Sequence, residues 1–152
     1  MIQRINDTSE KTRIARNILE RLPEWFGIPE ARENYIKDSA DQIFLAAVTA
    51  DETIGFLCLK KTGQDTLELY VMGVLKEYHR KHYGTALIDA AKEIGRKEGF
   101  SFLQVKTVQM GRYAEYDATN RFYIHCGFKE FEVIPELWGE QNPCQIYVMS
   151  LL

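Results

Sequence analysis

Three cysteines in 152 residues are too few and too scattered for a disulfide framework or a metal cage. Cys58, Cys126 and Cys144 fall in no C-x-x-C or Cys/His cluster with metal-ligand spacing, so no metal is expected. Cys58 and Cys126 read as small buried apolar residues, and Cys144 lies in a loop beside Pro143. No apolar run approaches the roughly 18–20 residues of a membrane span. The opening residues, MIQRINDTSEK, lack the apolar core of a secretory leader, so a cytoplasmic location is expected. A basic excess is missing too: the net charge is −3, which argues against a nucleic-acid partner. G-x-G-x-x-G after the first strand and G-K-[ST] are both absent, which disfavours a nucleotide-binding domain. No repeat, low-complexity tract or linker breaks the chain, and 1–152 is expected to be one domain with its own core.

What the chain does contain is a run at 71–105, VMGVLKEYHRKHYGTALIDAAKEIGRKEGFSFLQV. A β-branched, apolar segment turns there through His79, Arg80, Lys81 and His82, and an amphipathic helix opens at Gly84. A helix N-terminus presents N–H groups with no intrahelical acceptor and carries partial positive charge. Four basic or titratable side chains at that point suit a phosphate group. The helix is expected to bury Leu87, Ala90, Ala91 and Ile94, with Gly99 at its C-terminal cap.

The rest of the chain predicts a mixed sheet. Residues 2–6 read as a first strand, and Asp7 with Glu10 as an N-cap and capping box. Ile14, Ile18 and Leu22 recur every fourth residue, in a helix ending near Pro23. The segment EWFGI reads as an aromatic connection, and Pro29 as the start of a second helix. Runs 43–49, 53–60 and 67–75, joined by short turns, predict an antiparallel meander. Strand 101–107 follows a helix and should run parallel to 67–75 through a right-handed crossover. Asp117 is read as the cap of a helix over 118–125, stopped by Gly127, before strands 128–134 and 145–151. The expected class is α/β (α+β): a mixed, mostly antiparallel central sheet of about seven strands with helices on both faces.

This element order, the turn at 79–84 and the segment ATNRFYIHCGF at 118–128 resemble the GNAT superfamily of acetyl-CoA-dependent N-acetyltransferases, over essentially the whole chain. The family's acyl-CoA signature is Arg or Gln, two residues, Gly, one residue, then Gly or Ala. Here it falls with His79 at the first position, His82 at the first glycine and Gly84 at the second. Two of three signature positions are therefore histidines, and His82 restricts a backbone that glycine would leave free to approach a pyrophosphate. The second segment resembles the helix that supplies an Asn contacting the cofactor and a Tyr near the thioester sulfur. These are Asn120 and Tyr123, followed by Gly127 and Phe128.

The resemblance implies acetyl-CoA as cosubstrate and direct attack by a primary amine in a ternary complex. Backbone N–H groups from His79 to Thr85, Tyr83 and Gly84 among them, would cradle the phosphates with help from Arg80 and Lys81. The pantetheine arm would pair with backbone around Met72 and Val74, and an N–H near Val74 would polarise the acetyl carbonyl. Gly73 marks a bulge or close approach there, or else relieves packing. An alkylamine with a pKa near lysine's, about 10.4, arrives protonated and needs a base. Glu68 is the candidate, with Glu115 and Glu136 behind it, and a solvated strand residue is the plainer reading of Glu68. Tyr123 is expected to protonate the leaving thiolate, although taken alone it reads as a core aromatic. Trp25 and Phe26, Tyr113 and Glu115, and Trp138 lie in segments whose rings and carboxylates suit a cationic acceptor. A non-catalytic acyl-CoA-binding or sensing module on the same fold stays open as the second reading, and a homodimer rests on family analogy.

Overall fold

The computed structural model describes residues 1–152. Strand β1 (Ile2–Ile5) leads into helix α1 (Thr8–Glu20), whose N-cap forms as its sequence predicts: the Asp7 carboxylate accepts from the Glu10 N–H at 2.9 Å, while the Glu10 carboxylate turns to Arg13. The segment expected as a connection is instead one helical turn, α2 (Pro23–Phe26). Pro23 sets its first position, and the N–H groups of Trp25 and Phe26 both reach the Leu22 carbonyl, at 3.2 and 3.0 Å. Helix α3 (Pro29–Ser39) begins at the expected proline.

Strands β2 (Ile43–Val48), β3 (Thr53–Lys61) and β4 (Thr66–Val74) follow. A 3-10 turn (Lys76–Tyr78) and helix α4 (Tyr83–Lys97) lead to β5 (Phe102–Val108), helix α5 (Ala114–His125), β6 (Lys129–Ile134) and β7 (Cys144–Ser150). Helix α5 starts four residues earlier than the sequence suggests. Asp117 is not its cap: its Oδ1 accepts from the Gly111 N–H at 2.7 Å, and its own N–H already donates to the Tyr113 carbonyl. An aspartate that reaches back into its loop looks the same in sequence as one that caps forward.

The seven strands form a mixed, mostly antiparallel sheet in the order β1-β2-β3-β4-β5-β7-β6, flanked by helices. Strands β4 and β5 pair in parallel, Leu67 opposite Leu103 and Leu69 opposite Val105, as the intervening α4 requires. No helix is long and apolar enough to cross a membrane.

The chain divides into two compact units. In the first, Met1–Lys60 with Tyr70–Ile94, the core holds Ile14, Ile18, Leu19 and Leu22, and Phe44 stacks on Phe56 at 5.2 Å. Gly73 here serves packing. A β-carbon on it would lie 3.0 Å from Leu22 Cδ1 and 3.1 Å from Ile18 Cγ2, so its bare backbone lets the end of α1 seat against β4. In the second unit, Lys61–Leu69 with Gly95–Leu152, Leu103, Val105, Tyr147, Met149, Tyr123 and Phe128 are buried together.

Candidate functional site

In the first unit, β4 ends at Val74 and the chain reaches α4 through a loop with unusual backbone. Arg80 has φ 61° and His82 φ 68°, two left-handed residues without glycine. His82 is the position that the acyl-CoA signature gives to glycine, and its backbone takes a conformation glycine favours. The first intrahelical bond of α4 is Ala86 N–H to the His82 carbonyl at 3.0 Å. The N–H groups of Tyr83, Gly84 and Thr85 therefore have no intrahelical acceptor. Left-handed residues alternating with ordinary backbone and running into a helix N-terminus are a geometry that suits an anion. Arg80 and Lys81 are exposed on the same loop, and Lys81 Nζ lies 5.6 Å from the centre of the Tyr78 ring, which itself meets Tyr83 edge to face.

His79 does something its signature position does not advertise. Its Nε2 lies 2.7 Å from the Val74 carbonyl, which can only accept, so the proton sits on Nε2. The ring meets Trp25 of α2 edge to face at 5.8 Å. Trp25, His79 and the end of β4 are thus brought together. Half-buried Met72 and Val74 stand on that strand end. Phe26 meets Tyr35, and Tyr35 meets Tyr70, whose hydroxyl donates to Asp38 Oδ2 at 2.6 Å. The sequence reading missed Tyr35, Tyr70 and Asp38. Their types are ordinary, and only the fold assembles them. The nearby carboxylates are paired: Glu24 with Lys76, whose hydrogen-bonded ammonium holds it below the usual carboxylate range, and Glu52 and Glu77 with Arg21.

In the second unit, Glu68 is buried on β4 and its Oε1 accepts from Lys106 Nζ at 3.1 Å. The reading of Glu68 as a solvated strand residue is corrected: pairing across the parallel β4–β5 ladder takes it out of water. On α5, Asn120 and Tyr123 face inward. Asn120 is fully buried, and both polar atoms of its amide are bonded within the chain. Nδ2 donates to the carbonyls of Val108 (2.8 Å) and Tyr116 (2.7 Å), and Oδ1 accepts from the Tyr147 hydroxyl at 2.6 Å. Buried in this way, the amide has no surface to offer a cofactor while α5 stays packed on the sheet. Tyr123, 7 % exposed, packs its ring against Phe122, Phe128 and Tyr147. Gly127, at φ 103°, ends the helix and lets the Phe128 N–H return to the Tyr123 carbonyl at 3.1 Å. Burial, then the Glu130 carboxylate, pushes the Tyr147 phenol up, which keeps it a donor. Of the proposed acceptor residues here, Tyr113 stacks edgewise on Tyr116 at the start of α5, with Glu115 in the first turn. Trp138 stands in the β6–β7 turn, 39 % exposed.

No functionally curated protein matches the chain in sequence. Solved structures do match in fold. A protein described as GNAT-family from Desulfovibrio desulfuricans superposes with a TM-score of 0.83 at 19 % identity, covering 100 % of this chain and 99 % of that one. An aminoglycoside 6'-N-acetyltransferase in complex with coenzyme A gives 0.79 at 17 %, over 100 % and 97 %. An IAA acetyltransferase from Bacillus cereus gives 0.77 at 18 %, over 99 % and 98 %. At such identities the likeness is one of fold. The family model for the acetyltransferase (GNAT) family matches residues 12–128, most of the chain, and the protein belongs to that family.

Proposed function

We propose that the chain is a single-domain N-acetyltransferase that takes acetyl-CoA as cosubstrate and a primary amine as acceptor. The observation that carries this reading is the loop at 79–85, left-handed at Arg80 and His82 and continuous with the open N–H groups of α4. That backbone suits a pyrophosphate, and Arg80 and Lys81 add cationic charge at its rim. Acetyl-CoA supplies the activated acyl group as a thioester.

The remaining work falls to this chain's own residues. Strand β4 would offer backbone around Met72 and Val74 to the pantetheine amides, and an N–H near Val74 would polarise the acetyl carbonyl as charge builds there. The amine must lose a proton as the C–N bond forms, and the thiolate must gain one as the C–S bond breaks. Tyr123 is assigned the second proton. A phenol with a pKa of about 10 facing a thiol of about 8.5 is an uphill but usable donor where water is excluded. Glu68 Oε1 is already taken up by the Lys106 ammonium, so the first proton is assigned to water reached from the acceptor side. Trp25, Phe26, Tyr113, Glu115 and Trp138 are the proposed acceptor-side residues. The pairing of Glu24, Glu52 and Glu77 with cations supports recognition by aromatic contact ahead of bulk negative charge.

Thermal unfolding with acetyl-CoA, and with NADH and ATP as controls, tests the cofactor assignment. Acetyl-CoA at about 100 times its dissociation constant should add about 2.7 kcal/mol and raise Tm by several degrees. An equal shift with ATP, or none with acetyl-CoA, overturns it. Thiol release with a panel of amines then tests the transferase.

A further inference from the structure

We infer that Asn120 and Tyr147 form a buried positioning lock that sets the helix of Tyr123 on the sheet, with Asn120 acting on the reaction through that helix and without touching acetyl-CoA. The inference rests on the proposed acid role of Tyr123. Asn120 lies three residues before Tyr123 on α5, almost one helical turn away, so it fixes the rotation and height of the same face. Its amide ties α5 to two strands at once, through the Val108 carbonyl at the end of β5 and the Tyr147 hydroxyl on β7. A third bond, to the Tyr116 carbonyl, holds the amide plane. Tyr147 completes the arrangement twice, by its hydroxyl on Asn120 and by its ring 6.2 Å from that of Tyr123. The placing of Tyr123 thus depends on an amide that is fully buried and bonded within the chain through both of its polar atoms.

Tyr147→Phe in the full chain removes one hydroxyl and keeps the ring. The expected result is a fall in kcat of tenfold or more, measured by thiol release, with the acetyl-CoA dissociation constant unchanged within about twofold. In a Tyr123→Phe background the same substitution should cost nothing further, because it acts through Tyr123. Asn120→Leu combined with Tyr147→Phe replaces both partners by apolar groups of similar shape, and it should show the same kcat loss if Tyr147→Phe alone does not fold. Weakened acetyl-CoA binding, or an additive loss in the Tyr123→Phe background, overturns the lock. Unchanged turnover in Tyr123→Phe overturns the acid assignment and the lock with it. A wild-type chain that releases no thiol with any amine overturns the transferase reading itself, which separates that failure from the others.

Discussion

The side chain at position 82 is held against its own preference. A β-carbon at φ 68° crowds the carbonyl that follows, at a cost of about 1–2 kcal/mol, although histidine tolerates the region better than most residues. His82→Val, whose β-branching fits this region worse than histidine does, should lower stability further, by about 1 kcal/mol in urea unfolding. His82→Gly should leave it unchanged or raise it by up to about 1 kcal/mol, since relief of strain is offset by the freer unfolded chain. Glycine losing as much stability as valine would mean that the imidazole, and not the backbone, matters there. At this scale some of the site was readable beforehand. Asp7 three residues before Glu10, and Gly127 after a helical run, carry their meaning in local spacing. Asn120 does not. Its partner Tyr147 lies 27 residues away, and a sequence shows that an asparagine is present, not that its amide is buried and bonded to two strands.

Elements were readable wherever period and punctuation agreed. The meander, the parallel return after α4 and the proline start of α3 all appear as expected. The two errors, the single turn α2 and the early start of α5, are both places where the backbone closes on carbonyls inside a stretch without an apolar repeat. Gly73 shows how one residue spaces two elements. Gly73→Val would push its branches into Ile18 and Leu22, both buried, and should destabilise by about 2–3 kcal/mol as α1 is forced off β4. Unfolding in denaturant measures this, and a loss below about 0.5 kcal/mol would show that α1 has room to shift.

Across the whole molecule, the three thiols report on folding because they differ in burial. Cys58 and Cys144 are buried, one in each unit, Cys144 as the first residue of β7 and not in a loop as expected, and Cys126, expected buried, is half-buried. Burial pushes the Cys58 thiol up strongly and the Cys144 thiol to about 11, so neither forms thiolate at neutral pH. A disulfide-exchange reagent should label Cys126 alone in the native protein and all three after unfolding. Native labelling at Cys58 or Cys144 would reveal an opening of the unit that holds it. The far edge of the sheet is guarded by charge. Strand β6 carries Lys129, Glu130 and Glu132 around exposed Phe131, which discourages another strand from adding there.

The left-handed loop has one more consequence, for how this protein can vary. Where an anion is held by peptide N–H groups, recognition is encoded in dihedral angles, and many side chains can share one shape. A saturation library at positions 80 and 82, selected for acetyl-CoA binding, should rank substitutions by backbone tolerance, with glycine and asparagine high and valine, isoleucine and proline low. Charge should order them only within those groups. Such a loop can change its lettering over generations while its grip stays the same.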